Sequence, residues 1–265
     1  MTRYPTGKTG MLALLAHPVD HVKGPAFMNP ALEDLGRDWF VAPMHVRPEN
    51  LRHVVGALMK ADNYLGVILT IPHKESMASM CDELLANGRL TGAVNAVRFD
   101  RDRLVGDMFD GIGLLDALKG ANIGLRDRTV LMIGAGGAAR AIAFAFCQEG
   151  VANLAIHNRT RERAETLTRD IADALPGVRV ATAENDPRGY DILVNCTTLG
   201  LHDGDTPPID VSQIEPGQDI VDIIAVRDTE LMQAGIAKGC RVVGGVPMAL
   251  GQIAGFSEFF DPDRQ

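Results

Sequence analysis

A glycine-rich turn between an apolar strand and a helical segment constrains the fold of this chain more than any other feature. The strand Thr129–Ile133 leads directly into Gly134, Gly136 and Ala139. In the dinucleotide-binding pattern G-x-G-x-x-A, the first glycine permits a tight turn, the second lets a pyrophosphate approach, and the third small residue lets the helix pack on the strand. N–H groups at the start of that helix bind phosphate. A glycine turn without a ligand is the alternative, which the flanking strand and helix make less favourable. The residues expected at the pyrophosphate are Gly134, Ala135, Gly136, Gly137 and Ala138.

The segment after the next strand, Leu154–His157, predicts which dinucleotide binds. An NAD site places a carboxylate about twenty residues after the fingerprint, where it binds the ribose hydroxyls. Here the strand ends in Asn158, Arg159 and Thr160, and no carboxylate stands at its end. Guanidinium groups of Arg159 and Arg163 can bind a 2′-phosphate, and Thr160 can donate a further hydrogen bond. We therefore expect NADP; the alternative is a helix N-terminus capped by Thr160 with solvated arginines.

Apolar runs and helical periods alternate along the whole chain, which predicts an α/β fold with parallel strands. Two domains are expected, an N-terminal α/β domain over 1–109 completed by 246–265, and a Rossmann domain over 110–245. A final helix over Met248–Phe260 would return to the first domain. The first domain is expected to contain the strands Leu12–Ala16, Phe40–Val46 and Leu65–Ile71 and the helices Pro25–Leu35 and Pro48–Ala61.

Composition excludes several classes of partner and site. The net charge of −8 opposes nucleic acid, since phosphate backbones need clustered Lys and Arg. The four cysteines lie far apart and lack the paired spacing of a metal site or the density of a disulfide scaffold, so no metal is expected. The apolar stretch Met11–Ala16 is too short for a signal peptide or a membrane span. We expect a cytoplasmic protein without a membrane partner, monomeric or homodimeric.

Further segments have a family-specific order and spacing. They are Thr70-Ile71-Pro72-His73-Lys74, Gly92-Ala93-Val94-Asn95, Gly106–Gly111, Asn158-Arg159-Thr160 and Gly244–Gln252. Together with the glycine fingerprint, these segments resemble the shikimate dehydrogenase family over nearly the whole chain. The resemblance implies a catalytic, substrate-binding first domain and an NADP-binding Rossmann domain. It also implies reversible hydride transfer between NADP and a hydroxyl of shikimate or a related cyclic polyol.

The resemblance also implies roles for individual residues. Lys74 and Asp110 match the catalytic lysine and aspartate, Asn95 and Gln252 match contacts to ring hydroxyls, and Thr70 matches the pocket edge. Oxidising a secondary alcohol requires a group that takes the hydroxyl proton, and the sequence leaves open which of the catalytic two carries it. The residues implied on the cofactor besides those above are Thr197, Thr198, Ile223, Gly245 and Met248.

The chain departs from the family where the substrate carboxylate binds. The family segment His-Ser-x-Ser-Pro is here His21-Val22-Lys23-Gly24-Pro25, so two hydroxyls are missing. A pocket threonine becomes Phe109, and a tyrosine becomes Ala225. Each lost partner of a buried carboxylate costs about 1–3 kcal/mol, so shikimate should bind weakly. Lys23 could replace the hydroxyls or point to solvent.

Two functions follow as alternatives. The first is an NADP-dependent alcohol dehydrogenase acting on a cyclic polyol or polyol acid with an altered carboxyl end. The second is a non-catalytic ligand-sensing or regulatory protein on the same fold. The complete cofactor segments favour the dehydrogenase, because decay of activity would not be expected to preserve the fingerprint together with Asn158, Arg159 and Thr160.

Overall fold

A computed structural model describes residues 4–20 and 22–261 of the chain, which divide into two compact units. The first unit comprises the residues up to Phe109 and those from Gln252 onward, and the second comprises Asp110–Gly251. The second unit therefore extends six residues beyond the expected boundary at 245. Gly251 explains this extension, because a Cβ built on it would lie 2.5 Å from the carbonyl oxygen of Gly113, inside the second unit.

The first unit contains a mixed six-stranded sheet in the order β2-β1-β3-β5-β6-β4. Its strands are β1 Gly10–Ala16, β2 Trp39–His45, β3 Tyr64–Leu69, β4 Glu83–Leu84, β5 Ala96–Asp100 and β6 Arg103–Asp107. Its helices are α1 Gly24–Asp34, α2 Leu51–Leu58, α3 Lys74–Ala78, α4 Ala86–Thr91 and, at the end of the chain, α10 Ile253–Phe259. β1 pairs in parallel with both β2 and β3, so their carboxyl ends lie at one edge of the sheet.

The second unit is a Rossmann fold, in which all the strand pairs are parallel. Its strands are β7 Thr129–Ile133, β8 Asn153–His157, β9 Val180–Thr182, β10 Ile192–Asn195, β11 Asp219–Asp222 and β12 Arg241–Val243. Its helices are α5 Asp110–Gly120, α6 Gly137–Gln148, α7 Arg161–Ala174, α8 Glu230–Ala237 and α9 Gly245–Leu250. The order β12-β11-β10-β7-β8-β9 puts the chain reversal between β7 and β10, where such sheets bind nucleotides.

Hydrophobic burial explains why α10 belongs to the first unit. Phe256 and Phe260 lie in one buried cluster with Leu12 of β1 and Met28 of α1. Arg37 adds a polar connection, since its Nε donates to Ser257 Oγ at 2.6 Å. The C-terminal helix thus rejoins the first domain, as the resemblance implied.

The C-terminal segment differs from expectation in one respect. A single helix was predicted over Met248–Phe260, but the chain forms α9 and α10 on either side of Gly251 and Gln252, in different units. The short elements α3, α4, α8, β4 and β12 were not predicted either. No helix within the described residues is both long and apolar enough to span a bilayer.

Candidate active site

The turn after β7 requires glycine at its first position. Gly134 has φ of +118°, and a Cβ built there would lie 2.7 Å from the carbonyl oxygen of Cys196. Its N–H donates to His157 O at 2.8 Å, which joins the turn to the end of β8. Only glycine combines this backbone conformation with so close an approach.

The start of α6 offers the space and the donors for a phosphate. Gly136 is the N-cap residue, and a Cβ built on it would meet nothing within 4 Å. The neighbouring Ala135, Gly137 and Ala138 are half-buried, whereas Ala139 in the first turn of α6 is fully buried. N–H groups in the first turn of a helix have no partner within the helix, and the helix dipole favours an anion there. These residues fit the pyrophosphate of a dinucleotide.

The segment after β8 carries the groups expected at a 2′-phosphate. Asn158 Nδ2 donates to Thr160 O at 2.8 Å, which shapes the turn into α7. Thr160 occupies the N-cap position of α7, but its side chain makes no capping hydrogen bond. Arg161 is ion-paired with Glu165 at 3.0 Å. The exposed Arg159, by contrast, has no ion-pair or hydrogen-bond partner among the described residues, as suits a ligand phosphate.

A buried polar network that the sequence did not reveal shapes the loops after β10 and β11. Asn195 Nδ2 donates to Asp222 Oδ1 at 3.0 Å, and Thr229 Oγ1 donates to Asp222 Oδ2 at 2.7 Å. Asn195 Oδ1 accepts from the N–H and the hydroxyl of Thr197, at 3.0 and 2.7 Å. All three network residues are at most 3% exposed, and burial raises the pKa of the Asp222 carboxyl to about 6.

This network fixes the loops that contain the implied cofactor residues of the nicotinamide side. Thr197 is bound to Asn195, and the exposed Thr198 follows it directly. Ile223 follows Asp222, and a Cβ built on Gly245 would lie 2.2 Å from Ile223 O, so glycine is required at 245. Met248 is buried in α9, which starts at Gly245. Their contacts with NADP remain a prediction.

In the first unit, the segment from Thr70 to Lys74 leads from β3 into α3. Thr70 N donates to Leu15 O at 3.1 Å, and Lys74 is the half-buried first residue of α3. Val94 N donates to Lys74 O at 3.0 Å, which holds the lysine backbone beside the segment that leads through Asn95 into β5. The structure thus places Thr70 and Lys74 at one edge of the sheet, after the carboxyl end of β3.

Asn95 and Gln252, both expected at ring hydroxyls, form a buried pair. Asn95 Oδ1 accepts from Phe109 N at 2.9 Å, so its NH₂ is the group that donates to Gln252 Oε1 at 2.8 Å. Both side chains are less than 10% exposed. Asn95 also holds the backbone immediately before Asp110, which is itself buried at the start of α5.

The residues that replace the family's carboxylate contacts lie in different surroundings. Phe109 stands where the family has a threonine, and its ring packs in the core against Phe256 and Phe259, with centroids 5.1 and 5.4 Å away. Val22 packs against the same cluster. Lys23 is exposed at the N-cap position of α1, and His21 lies outside the described residues. Ala225, the third altered position, is half-buried in the second unit.

Two family models match this chain, one within each unit. Residues 14–97 match the shikimate dehydrogenase substrate-binding domain, and residues 117–225 match shikimate/quinate 5-dehydrogenase. Shikimate dehydrogenase (NADP⁺) of Geobacter metallireducens is 34% identical over 257 residues, which cover 93% of this chain and 89% of that protein.

Solved structures with a similar level of sequence identity have the same fold. A shikimate dehydrogenase crystallised with NADP⁺ superposes with a TM-score of 0.88 at 30% identity, covering 98% of this chain and 92% of that one. A ligand-free 5-ketofructose reductase of a Gluconobacter strain superposes with a TM-score of 0.83 at 27% identity, covering 96% and 94%. The two relatives are named for different substrates, shikimate and 5-ketofructose.

Proposed function

Because the chain belongs to the shikimate dehydrogenase family, we propose that it is an NADP-dependent oxidoreductase that interconverts a hydroxyl and a ketone of a cyclic polyol or ketose. The observation that carries the proposal is the contrast within the first unit. Asn95 and Gln252 form a buried hydrogen-bonded pair, whereas Val22 and Phe109 contribute to the hydrophobic cluster.

The chain's residues divide the work of the reaction. When bound, NADP accepts or supplies the hydride. Residues 134–138 hold its pyrophosphate, and Arg159, Arg163 and Thr160 hold its 2′-phosphate. Lys74 and Asp110 share the transfer of the hydroxyl proton, and Asn95 and Gln252 orient the substrate by its other hydroxyls.

The substrate differs from shikimate at its carboxyl end. A buried carboxylate needs hydrogen-bond donors, and the positions that supply hydroxyls in the family are apolar or glycine here. The superposition with a 5-ketofructose reductase supports a substrate without a carboxylate, since that protein is named for an uncharged ketose. Lys23, at the variable position between the two missing serines, is a cation and offers a route by which an acid could still bind.

The experiment that tests the proposal is a spectrophotometric panel of uncharged polyols and ketoses and of polyol acids, each with NADP(H) and NAD(H). We expect NADP(H)-dependent turnover of an uncharged member at a Michaelis constant between about 1 μM and 1 mM. A protein that binds NADP and polyols but turns over none of them would instead be the ligand sensor. Lys23→Met distinguishes the acid route, because only acids should lose affinity in that variant.

A further inference from the structure

A pair of histidines at the carboxyl edge of the first-unit sheet has no role in the proposed chemistry so far. His17 directly follows β1, and His45 is the last residue of β2. His17 Nδ1 and His45 Nε2 share a hydrogen bond of 2.8 Å. His17 is half-buried and His45 exposed, so a ligand can reach them.

The pair lies beside the segment that leads to the proposed catalytic lysine. His17 N donates to Ile71 O at 3.0 Å, three residues before Lys74. On the other side, Val46 N donates to Ala16 O at 3.0 Å, which fixes the ends of β1 and β2 together. The buried His73 donates from Nε2 to Val46 O at 2.9 Å, which holds the backbone directly after His45.

The shared proton determines what the pair presents to a ligand. If His17 Nδ1 carries that proton, His17 Nε2 is an acceptor and His45 Nδ1 a donor; in the other tautomer these roles are exchanged. Either way the neutral pair presents one donor and one acceptor. Neither outer nitrogen has a hydrogen-bond partner within residues 4–20 and 22–261. Over that same part of the chain, no group of three His, Cys, Asp or Glu residues could hold a metal ion.

One donor beside one acceptor matches alcohol groups, because a hydroxyl both donates and accepts. A carboxylate only accepts, so the acceptor nitrogen would face one of its oxygens without a proton between them. We propose that His17 and His45 form a hydroxyl-binding subsite that selects an uncharged polyol or ketose over its acid counterpart. This inference rests on the proposed function and names the substrate class of that same site.

Kinetics of His17→Ala and His45→Ala test the proposal, with NADPH as reductant and 5-ketofructose as substrate. The loss of a hydrogen bond to a neutral group should raise KM about 5- to 10-fold and leave kcat within about 2-fold. His45→Gln should recover part of the loss, because its amide again offers a donor and an acceptor. His53→Ala is the matched control, since His53 is an exposed histidine of α2 in the same unit and should leave KM unchanged.

The outcomes separate this inference from the proposed function. An active wild type whose KM is unchanged in both histidine variants, with only a lower melting temperature, would make the pair a structural clamp and overturn the inference alone. Preference for the ketone form of shikimate over 5-ketofructose would overturn it as well. If the wild type turns over neither compound nor any other member of the polyol and ketose panel, the proposed function fails. The imidazole ¹⁵N signals of His17 and His45, followed during a fructose titration without NADPH, still test the subsite in that case, and unshifted signals would refute it.

Discussion

At the scale of single residues, Phe109 and Gly255 form a matched pair in the first unit. A Cβ built on Gly255 would lie 2.8 and 2.9 Å from two ring carbons of Phe109. Phe109 therefore occupies the volume that a side chain at 255 would need. Restoring a hydroxyl by Phe109→Thr would leave a cavity in the core, at a cost of about 3 kcal/mol, rather than rebuild a carboxylate contact.

We predict that Gly255→Ala lowers the free energy of unfolding by about 1–3 kcal/mol, because the new methyl group overlaps the Phe109 ring. The matched control is Gly56→Ala in α2, where a Cβ would meet nothing within 4 Å. That change should stabilise the protein by about 0.5–1 kcal/mol through helix propensity. In a Phe109→Ala background the penalty of Gly255→Ala should largely disappear. Equal penalties in both backgrounds, measured by urea unfolding, would show that the two residues are not coupled.

Arg159 is expected to determine cofactor preference, since it is exposed and lacks an ion-pair partner among the described residues. Arg159→Ala should raise the Kd of NADP about 10- to 100-fold, the value of a charge-assisted hydrogen bond, and leave the Kd of NAD nearly unchanged. Arg169→Ala, which removes an exposed arginine further along α7, serves as the control. If fluorescence titration finds equal losses for NADP and NAD, Arg159 does not contact the 2′-phosphate.

At the scale of elements, Asp222 at the end of β11 is bound to Asn195 at the end of β10 and to Thr229, the N-cap residue of α8. Burial raises the pKa of the Asp222 carboxyl from 3.8 to about 6, so the folded state holds this proton more tightly than the unfolded state. Its contribution to stability is fully present below about pH 4 and is lost as the pH rises to about 6.

We therefore predict that the wild type loses stability relative to Asp222→Asn as the pH rises from about 4 to 6, because the asparagine cannot ionise. Thermal unfolding of both proteins across this range measures the difference. A difference that stays constant across the range would contradict a raised pKa, whatever the absolute stability of the variant.

Local sequence patterns predicted the helices and strands that carry the candidate site residues, but not the hydrogen bonds between distant residues. The strand, turn and helix from β7 to α6 could be predicted because the apolar spacing and the glycines that indicate them lie within about twenty consecutive residues. The Asn195–Asp222–Thr229 network and the His17–His45 pair join different strands, so no local period indicates them. The break between α9 and α10 depends on Gly251 packing against Gly113, which is also a long-range contact.

At the scale of the whole molecule, Lys74 and Asp110 are proposed to act in one proton-transfer step. Lys74→Ala and Asp110→Ala should each lower kcat by about 100-fold or more, and the double variant should be little worse, because residues that share one step are not additive. NADP binding should survive in all three proteins. Multiplicative losses in the double variant would assign the residues to separate steps.

The resemblance over nearly the whole chain identified its family, whereas the contacts among the residues expected at the substrate could be seen only in the structure. The resemblance implied substrate-site roles for Lys74, Asn95 and Gln252, which remain predictions, and the structure joins Asn95 to Gln252 in one buried pair. The sequence indicated the loss of a hydroxyl at 109, and the structure shows where the Phe109 ring packs. The cytoplasmic location and the monomeric or homodimeric state remain predictions.

The central claim, an NADP-dependent oxidoreductase whose carboxylate site has become apolar, is tested most directly by one competition between two ketones. The measurement is kcat/KM of the wild type with NADPH for 5-ketofructose and for the ketone form of shikimate. We predict the larger value for the uncharged ketose, by about 10-fold or more, which is the equivalent of one unsatisfied buried partner. A larger value for the acid would show that Lys23 or another group binds the carboxylate, and the carboxylate site would then not be apolar.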